Sequence, residues 1–159
     1  KEYRRQRQMC IRDSTGRTIT QHDAETRAVP PRYDAAKIAL DFAVRQDLYD
    51  RIDRRVDIMV QQGLFDEVRA LLAAGVPADC TAMQAIGYKE AVAAVQGKAA
   101  PQDAVAAIQL ASRRYAKRQL TWLRRDPGIH WFYWKKTRDI PDCLAFSTEI
   151  LRGHGVSCL

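Results

Sequence analysis

The segment SRRYAKRQLTWLRR, residues 112–125, places much of the positive charge of this sequence on one side of a predicted helix. Six of the thirteen residues from 113 to 125 are basic, and no acidic residue occurs before Asp126. At 100° per residue, these six fall within an arc of about 140°, which also contains Thr121. With no acid nearby in the sequence, this basic arc is suited to bind the phosphates of a nucleic acid. Its members are Arg113, Arg114, Lys117, Arg118, Arg124 and Arg125.

The opposite side of the same helix is predicted to face the protein core. Apolar and aromatic side chains lie there, namely Val105, Ile108, Tyr115, Trp122 and Leu123. An alternative interpretation is that the basic arc is simply a solvated face, as on many surface helices. The missing acidic partners at i±4 and the hydrogen-bonding Gln119 and Thr121 within the run favour the nucleic-acid interpretation.

Arg55 is a second candidate for binding an anion. In the predicted helix around it, Arg51 and Arg54 each have an aspartate four residues earlier, whereas Arg55 has no acidic neighbour at i±3 or i±4. A guanidinium beside an apolar helix face needs an anion, and its planar fork matches a phosphate or diphosphate. The alternative is that a carboxylate distant in sequence pairs with Arg55.

The segment QAIGYK, residues 84–89, is the third candidate. Gly87 would allow the backbone to approach a ligand or would begin the following helix. Tyr88 can stack or form a hydrogen bond, and Lys89 adds a positive charge. The alternative interpretation is an ordinary turn before a helix.

Composition and missing motifs exclude several classes of protein. The 159 residues suffice for one domain, and the net charge of +7 favours an anionic partner. No G-x-x-x-x-G-K-[ST] loop occurs, and the histidines have no nucleophile in a G-x-S-x-G pattern. The four separated cysteines do not form a zinc motif or a disulfide framework. No apolar stretch is long enough to span a membrane, and the start without Met indicates a fragment.

Apolar periodicity and glycine or proline positions predict the elements that must position these residues. Residues 18–34 are predicted to be irregular, since Pro30 and Pro31 block a helix there. The aromatic run at residues 131–134 could stack on bases, although a core or edge strand is the favoured interpretation. Predicted strands are 37–42 and 130–134, and predicted helices are 47–62, 65–74, 88–96, 101 to about 125, and 142–151.

Several of these segments resemble the tRNA dimethylallyltransferase family, also called tRNA isopentenyltransferases. AIGYKE at residues 85–90 and RRYAKRQLTWLRRD at residues 113–126 carry the resemblance, and KRQLTWLR is its most distinctive part. The resemblance extends upstream through RYDAAKIALDF and LYDRIDRRVDIMVQQGLFDEVRALL and onward to HWFYW. It therefore covers residues 15–134, while residues 1–14 are a non-matching basic arm or an artefact.

The resemblance implies an α/β fold that is mostly helical in this fragment, the C-terminal part of a P-loop-kinase-like fold. It implies transfer of a dimethylallyl group from dimethylallyl diphosphate to the exocyclic amine of an adenosine adjacent to the tRNA anticodon. Mg²⁺ is implied to help hold the diphosphate. The implied partners are tRNA and dimethylallyl diphosphate, and the protein is expected to be a cytoplasmic monomer without a membrane segment. Residues 135–159 are expected to form a C-terminal helix and tail.

Carried over residue by residue, the resemblance places Arg55 at the arginine that contacts the diphosphate. The family's P-loop and general base belong to an upstream half, so no catalytic residue and no metal ligand is expected here. Two segments are implied to contact tRNA, and they comprise Gln84, Ala85, Ile86, Gly87, Tyr88 and Lys89, then Lys117, Arg118, Gln119, Leu120, Thr121, Trp122, Leu123 and Arg124.

Two other functions remain open from the residues alone. A non-catalytic helical RNA-binding module would use only the basic arc. A kinase-like enzyme acting on a small phosphorylated metabolite would show no RNA-dependent retardation in a gel.

Overall fold

The computed structural model of this chain describes residues 9–10, 12–30, 32–137 and 139–156. Its internal contacts divide the chain into two compact units, Lys1–Ala35 and Ala36–Leu159. Most of the predicted basic arm, residues 1–8 and 11, therefore lies outside the described residues.

The first unit contains a helix, α1 (Ile19–Ala28), so the prediction that residues 18–34 are irregular is wrong. The Thr18 hydroxyl accepts a hydrogen bond from the backbone N–H of Gln21, at 3.3 Å. In return, the Gln21 side chain accepts one from the Thr18 N–H at 3.0 Å, which completes a capping box. No residue of α1 is buried, and the apolar periodicity that reveals most helices is missing here.

The second unit follows the element order predicted from apolar spacing, and its boundaries differ from the predicted ones by at most two residues. Gly63, at φ +99°, adopts the left-handed conformation that separates two helices, and Pro101 begins the longest helix. Among the described residues, no helix is both long and apolar enough to cross a membrane. In chain order the elements are β1 (Lys37–Phe42), α2 (Arg45–Gln61), α3 (Leu64–Ala73), a 3₁₀ turn (Ala82–Gln84), α4 (Tyr88–Val95), α5 (Pro101–Leu123), β2 (Ile129–Trp134) and α6 (Ile140–Gly153).

β1 and β2 form a two-stranded parallel sheet, in which Lys37 is opposite Ile129 and Phe42 is opposite Trp134. Parallel strands need a long crossover, which the helices from α2 to α5 provide. Lys37 Nζ lies 2.7 Å from Asp126 Oδ2 at the start of the sheet. The hydrogen bond from Lys37, followed by one from the Gly128 N–H, lowers the pKa of Asp126. The described second unit is thus mostly helical with a small parallel sheet.

The core of the second unit lies between α2, α3, α4 and the first half of α5. Aliphatic side chains from these helices converge there, because each helix has one apolar side, and Met83 of the 3₁₀ turn joins them. The core therefore fixes α2 and α5 side by side, which places Arg55 and the second half of α5 on neighbouring elements. The buried cluster consists of Val56, Leu64, Val68, Met83, Ala91, Val92 and Ile108.

Candidate anion and nucleic-acid interface

Two of the six basic residues at positions 113–125, on α5 and just after it, are paired with carboxylates. Arg113 Nη1 lies 2.6 Å from Asp53 Oδ2 on α2, and Arg124 Nη2 lies 2.9 Å from Asp41 Oδ2 on β1. The expectation that nothing neutralises the basic arc is therefore wrong for Arg113 and Arg124. Their partners are 60 and 83 residues away in sequence, so the spacing within α5 does not reveal them.

The other four basic residues make no ion pair within the described part of the chain, and all four are exposed. On a helical wheel continued through the two residues after α5, they span about 100°, and the two paired arginines lie beyond one edge of that span. These four residues form what we call the cationic ridge, and an uncompensated exposed ridge of this kind suits contact with phosphates. The cationic ridge consists of Arg114, Lys117, Arg118 and Arg125.

Tyr115 and Trp122 are exposed, at 48% and 71% of their surface, so their assignment to the core is wrong. Val105 and Ile108, on the same side of the helix but nearer its beginning, do pack in the core. Leu123 is half-buried. The predicted apolar side of α5 is therefore covered over its first half and largely open over its second half.

Arg55 lines a cavity of about 740 Å³ between α2, α5 and residues 84–86. Three regions that the sequence analysis identified separately meet in its wall, namely Arg55, residues 84–86, and the pair Arg118 and Gln119. We call it the Arg55 cavity. Its remaining lining residues are Ile52, Val56, Met59, Ile108, Ser112, Tyr115 and Ala116.

The Arg55 cavity is positively charged. Two guanidiniums, from Arg55 and Arg118, line it, and none of the described lining residues is acidic. The Arg55 side chain makes no ion pair or hydrogen bond with any residue that the structure describes, so no described carboxylate supports the alternative of a distant partner. Apolar side chains such as Ile52 and Met59 form part of the wall, while Arg55 and Arg118 themselves are exposed.

The segment at residues 84–89 divides into two parts with different roles. Gln84, Ala85 and Ile86 line the Arg55 cavity, whereas the following residues do not. Gly87, at φ +101°, begins α4, and its N–H donates to Glu90 Oε2 at 2.9 Å. The Tyr88 hydroxyl donates to Glu67 Oε1 at 2.5 Å, which raises the pKa of Tyr88, with burial and the Glu67 charge as smaller causes. Lys89 is exposed.

The segment at residues 117–124 forms the last turns of α5, so its side chains point in different directions. Arg118 and Gln119 line the Arg55 cavity. A small pocket of about 50 Å³ beside Arg45 is lined by Lys117, Leu120, Thr121 and Arg124. Within the helix, the Thr121 hydroxyl donates to the Lys117 carbonyl at 2.8 Å.

A second large cavity, of about 690 Å³, lies between the sheet and the second half of α5. Most of its lining is apolar, with Leu40 and Phe42 from β1 and Leu120, Trp122 and Leu123 from α5. These three α5 residues from the predicted tRNA-contacting segment therefore line an apolar cavity. The turn at residues 116–119 separates this cavity from the Arg55 cavity, because three of its residues line both.

The Arg55 cavity does not provide a site that fits Mg²⁺. A hard cation takes oxygen ligands, usually including carboxylates, whereas the Arg55 cavity presents guanidiniums and amides. Among the described residues, no group of three or more histidine, cysteine or acidic side chains could hold a metal ion. The cavity is suited to an anion instead.

Comparison with known proteins gives a consistent set of sequence relatives. The family described as IPP transferase matches residues 1–126. The tRNA dimethylallyltransferase 1 of Trichlorobacter lovleyi is 44% identical over 125 residues, which are 79% of this chain and 41% of that protein. The tRNA dimethylallyltransferase of Halalkalibacterium halodurans is 43% identical over 118 residues, or 74% of this chain and 37% of that protein.

Solved structures give the same result. The full-length tRNA isopentenylpyrophosphate transferase from Bacillus halodurans superposes with a TM-score of 0.70 and 37% identity, covering 80% of this chain and 42% of that one. The tRNA delta(2)-isopentenylpyrophosphate transferase from Staphylococcus epidermidis has a TM-score of 0.68 and 33% identity, covering 98% and 49%. The chain spans less than half the length of each of these four relatives.

Proposed function

We propose, from the premise that this chain belongs to the IPP transferase family, that it supplies diphosphate-binding and RNA-binding surfaces of a tRNA dimethylallyltransferase. The reaction transfers a dimethylallyl group from dimethylallyl diphosphate to the exocyclic amine of an adenosine adjacent to the tRNA anticodon. Because the chain spans 41% of the Trichlorobacter lovleyi relative, we assign the activity to the full-length polypeptide that carries this chain.

One observation carries this proposal. Arg55, residues 84–86 and Arg118 come from three separate parts of the sequence, yet they line one positively charged cavity without a described acidic residue. Such a cavity attracts an anionic substrate, and the exposed cationic ridge, to which Arg118 also belongs, attracts an RNA backbone. The two substrates of a tRNA prenyltransferase would therefore meet beside α5.

Arg55 acts in this proposal on the leaving group. When the C–O bond of dimethylallyl diphosphate breaks and the C–N bond to the adenosine forms, the electron pair leaves with the diphosphate. The Arg55 guanidinium stabilises that developing charge through its planar fork. The amine proton goes to a general base, and none of the described residues lining the cavity is a carboxylate that could take it.

The cationic ridge acts on the RNA. Contacts from Arg114 and Lys117 to phosphates orient the anticodon stem without reading its sequence. The target base must leave its stack to reach the prenyl donor, as bases do in other base-modifying enzymes. Arg113 and Arg124 contribute less to this contact, since each is paired with a carboxylate of the protein.

The architecture that we propose follows the family. Residues 15–134 are the C-terminal part of a P-loop-kinase-like catalytic domain, and residues 135–159 are a C-terminal helix and tail. The full-length protein is a cytoplasmic monomer. The family's Mg²⁺ would help hold the diphosphate, and no carboxylate among the described residues lining the Arg55 cavity is available to bind it.

The test is steady-state kinetics of the full-length polypeptide, with dimethylallyl diphosphate and tRNA both varied. Arg55→Ala should lower turnover about 100-fold while leaving the Kd for tRNA within about twofold, because one charge-stabilising donor is lost. Arg55→Lys should recover only part of the activity, since a lysine cannot form the bidentate contact.

Arg54→Ala is the matched control, because Arg54 is an exposed neighbour on α2 that does not line the Arg55 cavity. It should leave turnover unchanged. An Arg55→Ala enzyme with the parent turnover number would contradict the assignment.

A non-catalytic RNA-binding module remains the second candidate, because three of the four ridge residues, Arg114, Lys117 and Arg125, do not line the Arg55 cavity. The two functions separate in one measurement. A module would retain anticodon-stem RNA but would gain nothing from added dimethylallyl diphosphate, whereas the transferase would form prenylated tRNA.

A further inference from the structure

We infer that Tyr115 and Arg118 form a stacking site for an unpaired nucleobase inside the Arg55 cavity. This inference rests on the proposed function and adds a residue that neither the basic arc nor the segment at residues 117–124 contains. Tyr115 lies three residues before Arg118, so the two side chains share one face of α5.

The geometry of the pair supports stacking. The Arg118 Cζ atom lies 5.6 Å from the centre of the Tyr115 ring, within range of a cation–π contact. Both side chains line the Arg55 cavity, and the Tyr115 ring keeps 48% of its surface exposed. The Tyr115 hydroxyl has no hydrogen-bond partner in the described part of the chain, so no polar contact there explains its position.

The other polar groups of the cavity suit a nucleotide better than an inorganic anion. Gln84 and Gln119 both line it, and a primary amide offers a donor and an acceptor to the edge of a base. Unpaired RNA bases are held in this way, by stacking on aromatic rings or guanidinium planes and by hydrogen bonds to their edges. A cavity of about 740 Å³ falls within the usual range for small-molecule sites.

The positive charge of the cavity also favours a nucleotide. With Arg55 and Arg118 in the wall and no described acidic lining residue, a neutral apolar segment of protein would leave two guanidiniums without a partner. A nucleotide supplies both a flat base and an anionic phosphate. We therefore commit to an unpaired nucleotide of the RNA substrate, placed next to the diphosphate at Arg55.

The experiment uses the full-length polypeptide and two RNA probes, an anticodon stem-loop and a fully paired duplex of the same stem. Tyr115→Leu should weaken binding of the stem-loop about tenfold, because an apolar side chain replaces the stacking ring. Binding of the duplex should not change. The salt dependence of stem-loop binding should also stay the same, since Tyr115 carries no charge.

Two matched variants test whether the loss of binding is specific to the ring at position 115. Tyr115→Phe keeps the ring and should bind the stem-loop within about twofold of the parent. Tyr33→Leu removes an exposed tyrosine that also has an arginine over its ring, with Arg32 Cζ 5.5 Å from the ring centre, but that does not line the Arg55 cavity, and it should have no effect. Equal losses for stem-loop and duplex, or a loss in Tyr115→Phe, would overturn the stacking site.

A measurement on the unmutated protein covers the case in which Tyr115→Leu misfolds. It places 2-aminopurine at loop positions that are unstacked in the free RNA. Its fluorescence should be quenched when the protein binds, because the base then stacks on the Tyr115 ring. No quenching at any loop position overturns the inference.

The proposed function can fail separately. If Lys117→Ala weakens stem-loop binding and Tyr115→Leu does not, only the stacking site is wrong. If the unmutated protein binds no anticodon RNA, both proposals are wrong.

Discussion

The two halves of α5 present the same side of one helix to different surroundings. In the first half, Ala104 and Ile108 are 3% and 1% exposed. In the second half, Tyr115 and Trp122 continue that side, and they are 48% and 71% exposed. On the helical wheel all four lie within about 40° of one another, so periodicity gives no reason to separate them.

The difference follows from the lengths of the helices that pack together. α5 has 23 residues and is about 35 Å long, whereas α4 has eight residues and is about 12 Å long. α4 can therefore cover only part of α5. An amphipathic pattern specifies which side of a helix is apolar, but the neighbouring elements decide how far along the axis that side is buried. In this protein the uncovered half lines the Arg55 cavity and the apolar cavity beside the sheet.

Truncating one side chain in each half of α5 tests this difference in burial most directly. Ile108→Ala should lower the free energy of unfolding by about 2–5 kcal/mol, because it leaves a cavity in the core. Tyr115→Ala should change it by less than about 0.5 kcal/mol, since that ring packs little. Urea denaturation of the 159-residue chain measures both. Equal losses would mean that the second half of α5 is also part of the core.

The two kinds of arginine on α5 provide the next test. Arg113→Ala should lower the free energy of unfolding by about 2 kcal/mol, between the values for exposed and buried ion pairs. It breaks the 2.6 Å contact with Asp53, whose other oxygen, Oδ1, is already buried without a partner among the described residues.

Arg114→Ala, one residue along, is the matched substitution with the opposite expectation. Stability should change by less than about 0.5 kcal/mol, and the salt dependence of RNA binding should decrease by about one phosphate contact. Filter binding over a salt series and urea denaturation of the same two variants decide the question. If Arg113→Ala flattens the salt dependence and Arg114→Ala does not, the division between paired and unpaired arginines is wrong.

The local pattern predicted most of the second unit, because apolar spacing and glycine positions act within a few residues. It did not predict α1, whose exposed surface leaves only the capping box at Thr18 as a signal. The partners Asp41 and Asp53 could not be predicted either, since they approach α5 only after the chain has folded. Arg55 was identified because the absence of a local acid is visible in the sequence. Its assignment to the diphosphate stays a prediction.

For Tyr115, the sequence pattern gave the wrong position. Its i,i+3 relation to Arg118 was visible in the sequence, but its place on the apolar side of the wheel favoured a core position. α4 is too short to cover the second half of α5, and the ring lies in the wall of the Arg55 cavity. To predict whether an aromatic residue on a long helix is buried, the lengths of the helices that pack on it must therefore be considered as well.

The segment at residues 84–89 also has one part that lines a cavity and one part that packs against the protein. A substitution there is expected to have the smallest effect on stability. Gln84 lines the cavity, while Tyr88 holds the segment to α3 through Glu67. The pKa of Tyr88 is raised in the folded chain, chiefly by that hydrogen bond, so the folded state retains the proton to higher pH than the unfolded state. The stabilisation is therefore complete below the ordinary tyrosine pKa of 10.0 and decreases as pH rises above it.

Glu67→Gln should make this decrease smaller, because the amide can still accept the hydrogen bond but no longer repels a tyrosinate. The thermal midpoint of the 159-residue chain, measured between about pH 8 and about pH 11, gives the comparison. Tyr88→Phe is the control that lacks the titrating group and should differ from the parent most at the lower pH. If the parent and Tyr88→Phe lose stability in parallel as pH rises, the Tyr88 contact does not hold the segment, and the position of Gln84 in the cavity depends on the Gly87 turn and Glu90 alone.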